Sequence, residues 1–151
     1  MLRPAALVLV ALIAGGCLDG DAGSSATGAS PAAFRAEAQA VCQKYARQIG
    51  ALATPGDLGA LADAGDRALD LQQEELDELR ALTPAEADAA DVEQMLTGLE
   101  DAIATGQDLV DAARSGDQAS VAEAVGTLRT QLEDVNRIAR DLDLGACAIT
   151  G

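Results

Sequence analysis

Residues 121–142 read VAEAVGTLRTQLEDVNRIARDL, and the spacing of the apolar side chains in this stretch decides the fold. Seven apolar residues recur there at alternating intervals of four and three: Val121, Val125, Leu128, Leu132, Val135, Ala139 and Leu142. This heptad pattern places all of them on one face of an α-helix. Such a face is stable only when it packs against other helices, so the stretch predicts a helical bundle.

Three segments before this stretch show the same rhythm and predict three more amphipathic helices. We predict helices over residues 31–52, 57–81, 84–114 and 117–143. Ser30 and Pro31 are typical of a helix start, and the Thr-Pro-x-Glu sequence at 83–86 is a capping-box signal. Gly145 is suited to the left-handed residue that ends a helix.

The class of fold follows from these helices and from the short connections between them. No segment shows strand-like alternation of useful length, so we predict an all-α protein. Short connections favour antiparallel neighbours, and the expected architecture is an up-down-up-down four-helix bundle over residues 31–151.

Four glycines interrupt the predicted helices, at Gly65, Gly98, Gly106 and Gly126. Each costs up to about 1 kcal/mol relative to alanine in a helix interior. They indicate either a close approach of neighbouring helices or room for an apolar ligand inside the bundle.

The N-terminal segment has the organisation of an export signal. Arg3 precedes an apolar run over residues 5–14, and small residues at 14–16 stand directly before Cys17. This arrangement resembles the lipobox of bacterial lipoproteins. The resemblance implies that residues 1–16 are removed and that Cys17 becomes a lipid-modified N-terminus. An ordinary cleaved signal or a transmembrane anchor are the alternatives, although the run is shorter than the ~20 residues that a spanning helix needs.

Residues 17–30 then form the lipidated cysteine and a linker rich in Gly, Ser, Ala and Asp, which predicts a flexible tether. Two acyl chains anchor a protein stably where one does so marginally. We therefore expect a protein held by its lipid anchor on the extracytoplasmic face of the cell membrane.

The two remaining cysteines, Cys42 and Cys147, are most simply a disulfide in an exported protein. Two free buried thiols or a two-cysteine metal site are the alternatives. Closing a loop of this length stabilises a chain by about 4.7 kcal/mol in entropy-based estimates. Cys147 follows the last helix closely, so the bridge requires the first helix to be offset toward it.

The part of the chain after the linker resembles small exported or lipid-anchored helical proteins of high-GC Gram-positive bacteria, over about residues 33–148. The matching features are Cys42, the Leu-x-x-Leu-x-x-Leu-Thr-Pro turn at 76–84, the Ser-Gly-Asp turn at 115–117, and the Asp-Leu-Asp-Leu-Gly-Ala-Cys segment at 141–147. The resemblance implies a disulfide-bridged bundle and transfers no functional residues.

Composition excludes several classes of function. The chain has 25 acidic against 10 basic residues, a net charge of −15 and no histidine. An acidic surface repels nucleic acid, and histidine is the usual general base and metal ligand. The acidic run at 74–78 is interpreted as a solvated helix face, and Glu93 and Glu100 lack the Glu-x-x-His partners of carboxylate-bridged metal bundles. We expect no enzymatic activity, no metal and no cofactor.

The sequence thus favours a non-enzymatic binding or scaffolding module for another component of the cell envelope. One alternative is a carrier that holds a small apolar ligand between helices, in space left by the small residues Gly98, Ala102 and Gly106. The other is an acidic accessory protein or inhibitor of an envelope enzyme.

Overall fold

The computed structural model describes residues 30–52 and 54–149 and folds them into four α-helices. The elements are α1 (Pro31–Gly50), α2 (Leu58–Arg80), α3 (Ala89–Ser115), α4 (Gln118–Asp141) and a short 3-10 helix, η1 (Gly145–Cys147). The all-α class with four helices is confirmed. The predicted signal peptide, the lipidation site at Cys17 and nearly all of the linker lie outside the described residues.

Three of the four helices begin where the sequence predicts. The side chains of Ser30, Asp57 and Asp117 accept hydrogen bonds from backbone N–H groups in the first turns of α1, α2 and α4, over 2.8–3.2 Å. Each bond satisfies a donor that has no partner within the helix. These short polar residues therefore fix where the chain enters each helix.

The start of α3 differs from the prediction. The capping-box signal at 83–86 predicts a start within that stretch, whereas the helix begins at Ala89. Ala85 is buried in the core, and the Asp88 carboxylate lies 3.5 Å from the guanidinium of Arg35 in α1. Contacts with α1 therefore hold this segment as a turn, which local propensity alone does not reveal.

The end of α4 also differs from the prediction. Asp143, not Gly145, adopts the left-handed conformation, with φ 59°. The N–H groups of Asp143 and Leu144 donate to the carbonyls of Arg140 and Ala139, over 3.0 and 2.7 Å, which is a Schellman motif. Leu144 is fully buried, so the reversal occurs where it inserts this apolar side chain into the core.

The neighbours in the bundle follow chain order. Arg80 pairs with Glu100 and Arg114 pairs with Asp66, at 2.6 and 2.7 Å, so α2 and α3 run antiparallel. α3 packs against α4, α1 packs against α2, and η1 packs against both α1 and α4. The complete up-down-up-down order stays a prediction.

The apolar interior is divided into two clusters. The larger one joins α1, the end of α2, the beginning of α3, the end of α4 and η1, and its buried side chains include Phe34, Leu76, Met95, Val135, Ile138 and Leu144. The smaller one contains Ala62, Val110 and Ala113, with half-buried leucines of α2 around them. The smaller cluster contains no residue of α1, so it lies in a layer built from fewer helices.

The exposed side of α4 contradicts one part of the heptad interpretation. Val125 is 50% exposed, whereas Ala124 and Ile138 are buried. A straight α-helix drifts by about 20° per heptad relative to a 3.5-residue repeat, so a strict heptad does not stay on the buried face over the whole helix.

Candidate functional site

The C-terminal segment is joined to α1 by the predicted cysteine pair. The sulfur atoms of Cys42 and Cys147 lie 2.05 Å apart, and their Cα atoms 4.9 Å. α1 is shifted along the bundle toward the end of α2, as a bridge between Cys42 and Cys147 requires. Tyr45 lies near the end of α1, and its hydroxyl donates over 2.8 Å to Glu78, which lies near the end of α2. In two antiparallel helices without an offset, Tyr45 would instead lie beside the beginning of α2.

A second contact fixes the chain beyond the disulfide. The side-chain amide of Asn136 in α4 donates to the carbonyl of Ile149 over 2.8 Å and accepts from its N–H over 2.7 Å. Ile149 is therefore held at two points, by this pair of hydrogen bonds and by the nearby bridge. No pattern in the sequence singles out Asn136, because a polar residue beside the apolar face of a helix is common.

An apolar cavity of about 170 Å³ lies between α2, α3 and α4. It separates the two core clusters, since Leu61 and Val110 of the smaller cluster and Leu76 and Leu99 of the larger one all line it. None of its lining residues belongs to α1. The remaining lining residues are Gly65, Ala68, Leu69, Gln72, Glu75, Ala102, Ile103, Gly106, Leu109, Leu128, Leu132 and Ile149.

Two glycines let α2 and α3 approach closely at the wall of this cavity. A Cβ on Gly65 would lie 2.5 Å from Val110 Cγ2, and a Cβ on Gly106 would lie 2.7 Å from Leu69 Cδ2. The two contacts are reciprocal. In each helix a glycine is followed four residues later by the branched side chain that contacts the glycine of the other helix. Close approach of helices is therefore the role of both glycines.

The three small residues that the carrier alternative places around a ligand divide into two groups. Ala102 and Gly106 line the cavity, as the carrier alternative requires. Gly98 does not line the cavity. It faces Val135, and a Cβ added to Gly98 would lie 2.7 Å from Val135 Cγ2. The space beside Gly126 is open among the described residues.

Glu75 is the charged group of the cavity wall. It is half-buried, and burial raises its pKa to about 7. It forms no ion pair and no side-chain hydrogen bond with any residue that the structure describes. Because an ionised carboxylate without a partner loses hydration on burial, its protonated form is favoured.

A second cavity, of about 330 Å³, lies on the other side of Glu75, beside the disulfide. Residues of α1 and of the C-terminal segment line it, including Ile49 and Ala146. Gln72, Glu75 and Ile149 line both cavities, so they form the boundary between them.

The pKa of the neighbouring Glu78 shifts in the opposite direction from that of Glu75. Glu78 lies 2.6 Å from the ammonium group of Lys44 and accepts from the hydroxyl of Tyr45, and these bonds lower its pKa. The interpretation of 74–78 as a solvated face is therefore wrong for Glu75. The spacing of Ala68, Gln72 and Glu75 along α2 is the signal that places this carboxylate on an inner face.

Metal binding has no structural candidate in the described part of the chain, where no three His, Cys, Asp or Glu side chains converge. None of the helices in residues 30–52 and 54–149 is both long and apolar enough to cross a bilayer.

No protein-family model matches this chain, and no curated protein or solved structure shows significant similarity to it. The apolar cavity and the carboxylate at its edge are thus the features from which a function can be argued.

Proposed function

We propose that this chain is a lipid-anchored, extracytoplasmic binding protein that carries a small apolar ligand in the cavity between α2, α3 and α4. The observation that carries the proposal is the cavity itself, which lies between the two apolar clusters of the interior. Protein interiors are normally close-packed, and a void large enough for a ligand forfeits both dispersion contacts and hydrophobic stabilisation.

The size of the cavity sets the size of the ligand. An apolar cavity of about 150 Å³ is known to stay dry and to bind benzene or xenon. The cavity of this protein has about 170 Å³, so its occupant is a single ring or a short branched hydrocarbon segment. Complete drug-sized ligands usually occupy about 300 Å³ or more.

The lining favours binding over catalysis. Glycine, alanine, leucine, isoleucine and valine form nearly all of the wall, and Glu75 is its only titratable group among the described residues. Among the described residues, no second titratable group or nucleophile lines this wall to act with Glu75 in acid–base or covalent catalysis. We therefore propose a non-enzymatic role.

Anchoring at Cys17 is part of the proposal and is supported by the lipobox-like segment before it. An oxidising location outside the cytoplasm suits a disulfide between Cys42 and Cys147. A carrier held close to the membrane surface would exchange apolar molecules with the bilayer or with another envelope component over a short distance.

The sequence by itself favours a scaffold for an envelope protein, and an acidic accessory protein or inhibitor is the third possibility. The cavity is the reason to propose a carrier instead, because neither other role requires one. A scaffold or an inhibitor acts through its surface and gains nothing from a cavity that lowers its stability.

Calorimetric titration of the purified full chain with toluene tests the proposal. Ala102 is buried in the cavity wall, whereas Ala104 is exposed on the same helix. We expect toluene to bind the wild-type chain and Ala104→Leu equally, and binding to be lost in Ala102→Leu, where the larger side chain occupies the cavity. Absence of binding to the wild-type chain, or equal binding to both variants, would contradict the proposal.

A further inference from the structure

We propose that the natural ligand is an apolar amine, whose hydrocarbon body occupies the cavity and whose cationic nitrogen pairs with Glu75. This inference rests on the proposed function and adds to it the chemical class of the ligand.

The position of Glu75 is the first argument. Among the described residues that line the two adjoining cavities, it carries the only charge, and Gln72 beside it is the only other residue with a polar side chain. A ligand in the apolar cavity therefore meets the Glu75 carboxylate and the Gln72 amide at one end and apolar side chains along the rest of the wall. Such a site fits a molecule with one polar group.

The missing partner of Glu75 is the second argument. On the same helix, Glu78 is paired with Lys44, and Arg80 is paired with Glu100 in α3. Glu75 forms no ion pair with any basic side chain in the described part of the chain, and no lysine or arginine lines either cavity. A bound ammonium group would supply the opposite charge and hydrogen-bond donors that the protein does not provide.

The charge of the whole chain is the third argument. A net charge of −15 creates a negative potential that attracts cations and repels anions. A fatty acid or another acidic amphiphile would thus be opposed both by the general potential and by Glu75. A bare divalent cation is also disfavoured, because it needs several converging oxygen ligands and the wall offers one carboxylate.

Toluene and benzylamine form a suitable pair of probes, because they differ only in the amine group. We expect benzylamine to bind the purified full chain at least about tenfold more tightly than toluene, as a charged hydrogen bond typically contributes this much. Glu75→Gln should remove that preference and leave toluene binding intact. Asp70→Asn is the matched control, since Asp70 is exposed on the same helix, and it should retain the preference.

The dependence on pH supplies a second readout. Among the described residues that line the site, Glu75 is the only titrating group, and benzylamine stays protonated over about pH 6–8. The affinity for benzylamine should therefore rise with pH through about 7, where Glu75 ionises, and the affinity for toluene should stay constant.

The outcomes separate the two proposals. If toluene binds but benzylamine binds no more tightly, or if Glu75→Gln keeps the preference, the amine assignment is wrong and the carrier proposal stands. If neither probe binds the wild-type chain, the carrier proposal itself fails.

Discussion

Single residues of this protein acquire their properties from the side chains that surround them. Glu75 and Glu78 are one turn apart on α2, yet burial raises the pKa of Glu75 to about 7 and the bond with Lys44 lowers that of Glu78. The sequence shows only an acidic run there. The difference depends on α1 and on the C-terminal segment, which local patterns do not describe.

Glu75→Gln should stabilise the protein above pH 7. The native state binds an extra proton between the ordinary pKa of 4.5 and the raised value of about 7, so stability falls as the pH rises through that window. We expect the variant to be more stable by about 1–2 kcal/mol at pH 8, after allowance for partial exposure, and equal to the wild type at pH 4. Urea unfolding at both pH values measures this, and an equal gain at both would contradict it.

The glycines of α2, α3 and α4 should respond differently to an added methyl group. Gly65→Ala forces a Cβ against Val110, whose χ1 is stiff, and should cost about 1–3 kcal/mol. Gly126→Ala meets open space and should stabilise α4 by up to about 1 kcal/mol. Thermal melting of both variants tests the pair, and a destabilised Gly126→Ala or a neutral Gly65→Ala would show that the packing differs from the described one.

At the scale of elements, the sequence predicts a helix or its first residue correctly where residues close together in the chain determine it. The existence of all four helices and the capped starts at Ser30, Asp57 and Asp117 follow from periodicity and polar caps. The start of α3 differs from the prediction at 83–86, and the left-handed residue after α4 is Asp143 and not Gly145, because the Arg35–Asp88 contact and the burial of Leu144 decide them. The sequence alone leaves a cavity as one of several alternatives, because the cavity depends on how the helices pack against one another and not on local patterns.

The C-terminal segment should be the element that depends most on the disulfide. Replacing both cysteines, as Cys42→Ser with Cys147→Ser, should lower the free energy of unfolding by about 4–5 kcal/mol, given the long loop that the bridge closes. Denaturant titration measures the loss.

Asn136→Ala separates the contribution of the hydrogen bonds from that of the bridge. We expect it to cost only about 1–2 kcal/mol, because two hydrogen bonds to Ile149 are lost while the disulfide remains. A loss as large as that of the double serine variant would mean that Asn136, not the bridge, holds the segment.

At the scale of the whole molecule, the proposed lipid anchor at Cys17 and the cavity between α2, α3 and α4 are separate features that can be tested independently. Cys17→Ala should leave the protein unprocessed or release it from membranes, because the acyl chains proposed at Cys17 would provide the attachment. Membrane fractionation followed by mass measurement of the N-terminal peptide tests this. Normal membrane retention of the variant would contradict the anchor but would leave the cavity unaffected.

The central claim is that the space between α2, α3 and α4 is a real binding site for an apolar molecule. A crystal structure of the protein under xenon pressure tests it most directly, since xenon enters apolar cavities of this size without other interactions. We expect a xenon atom among Leu69, Leu99 and Leu132. A structure in which these side chains meet and close the space, with no xenon between them, would contradict it.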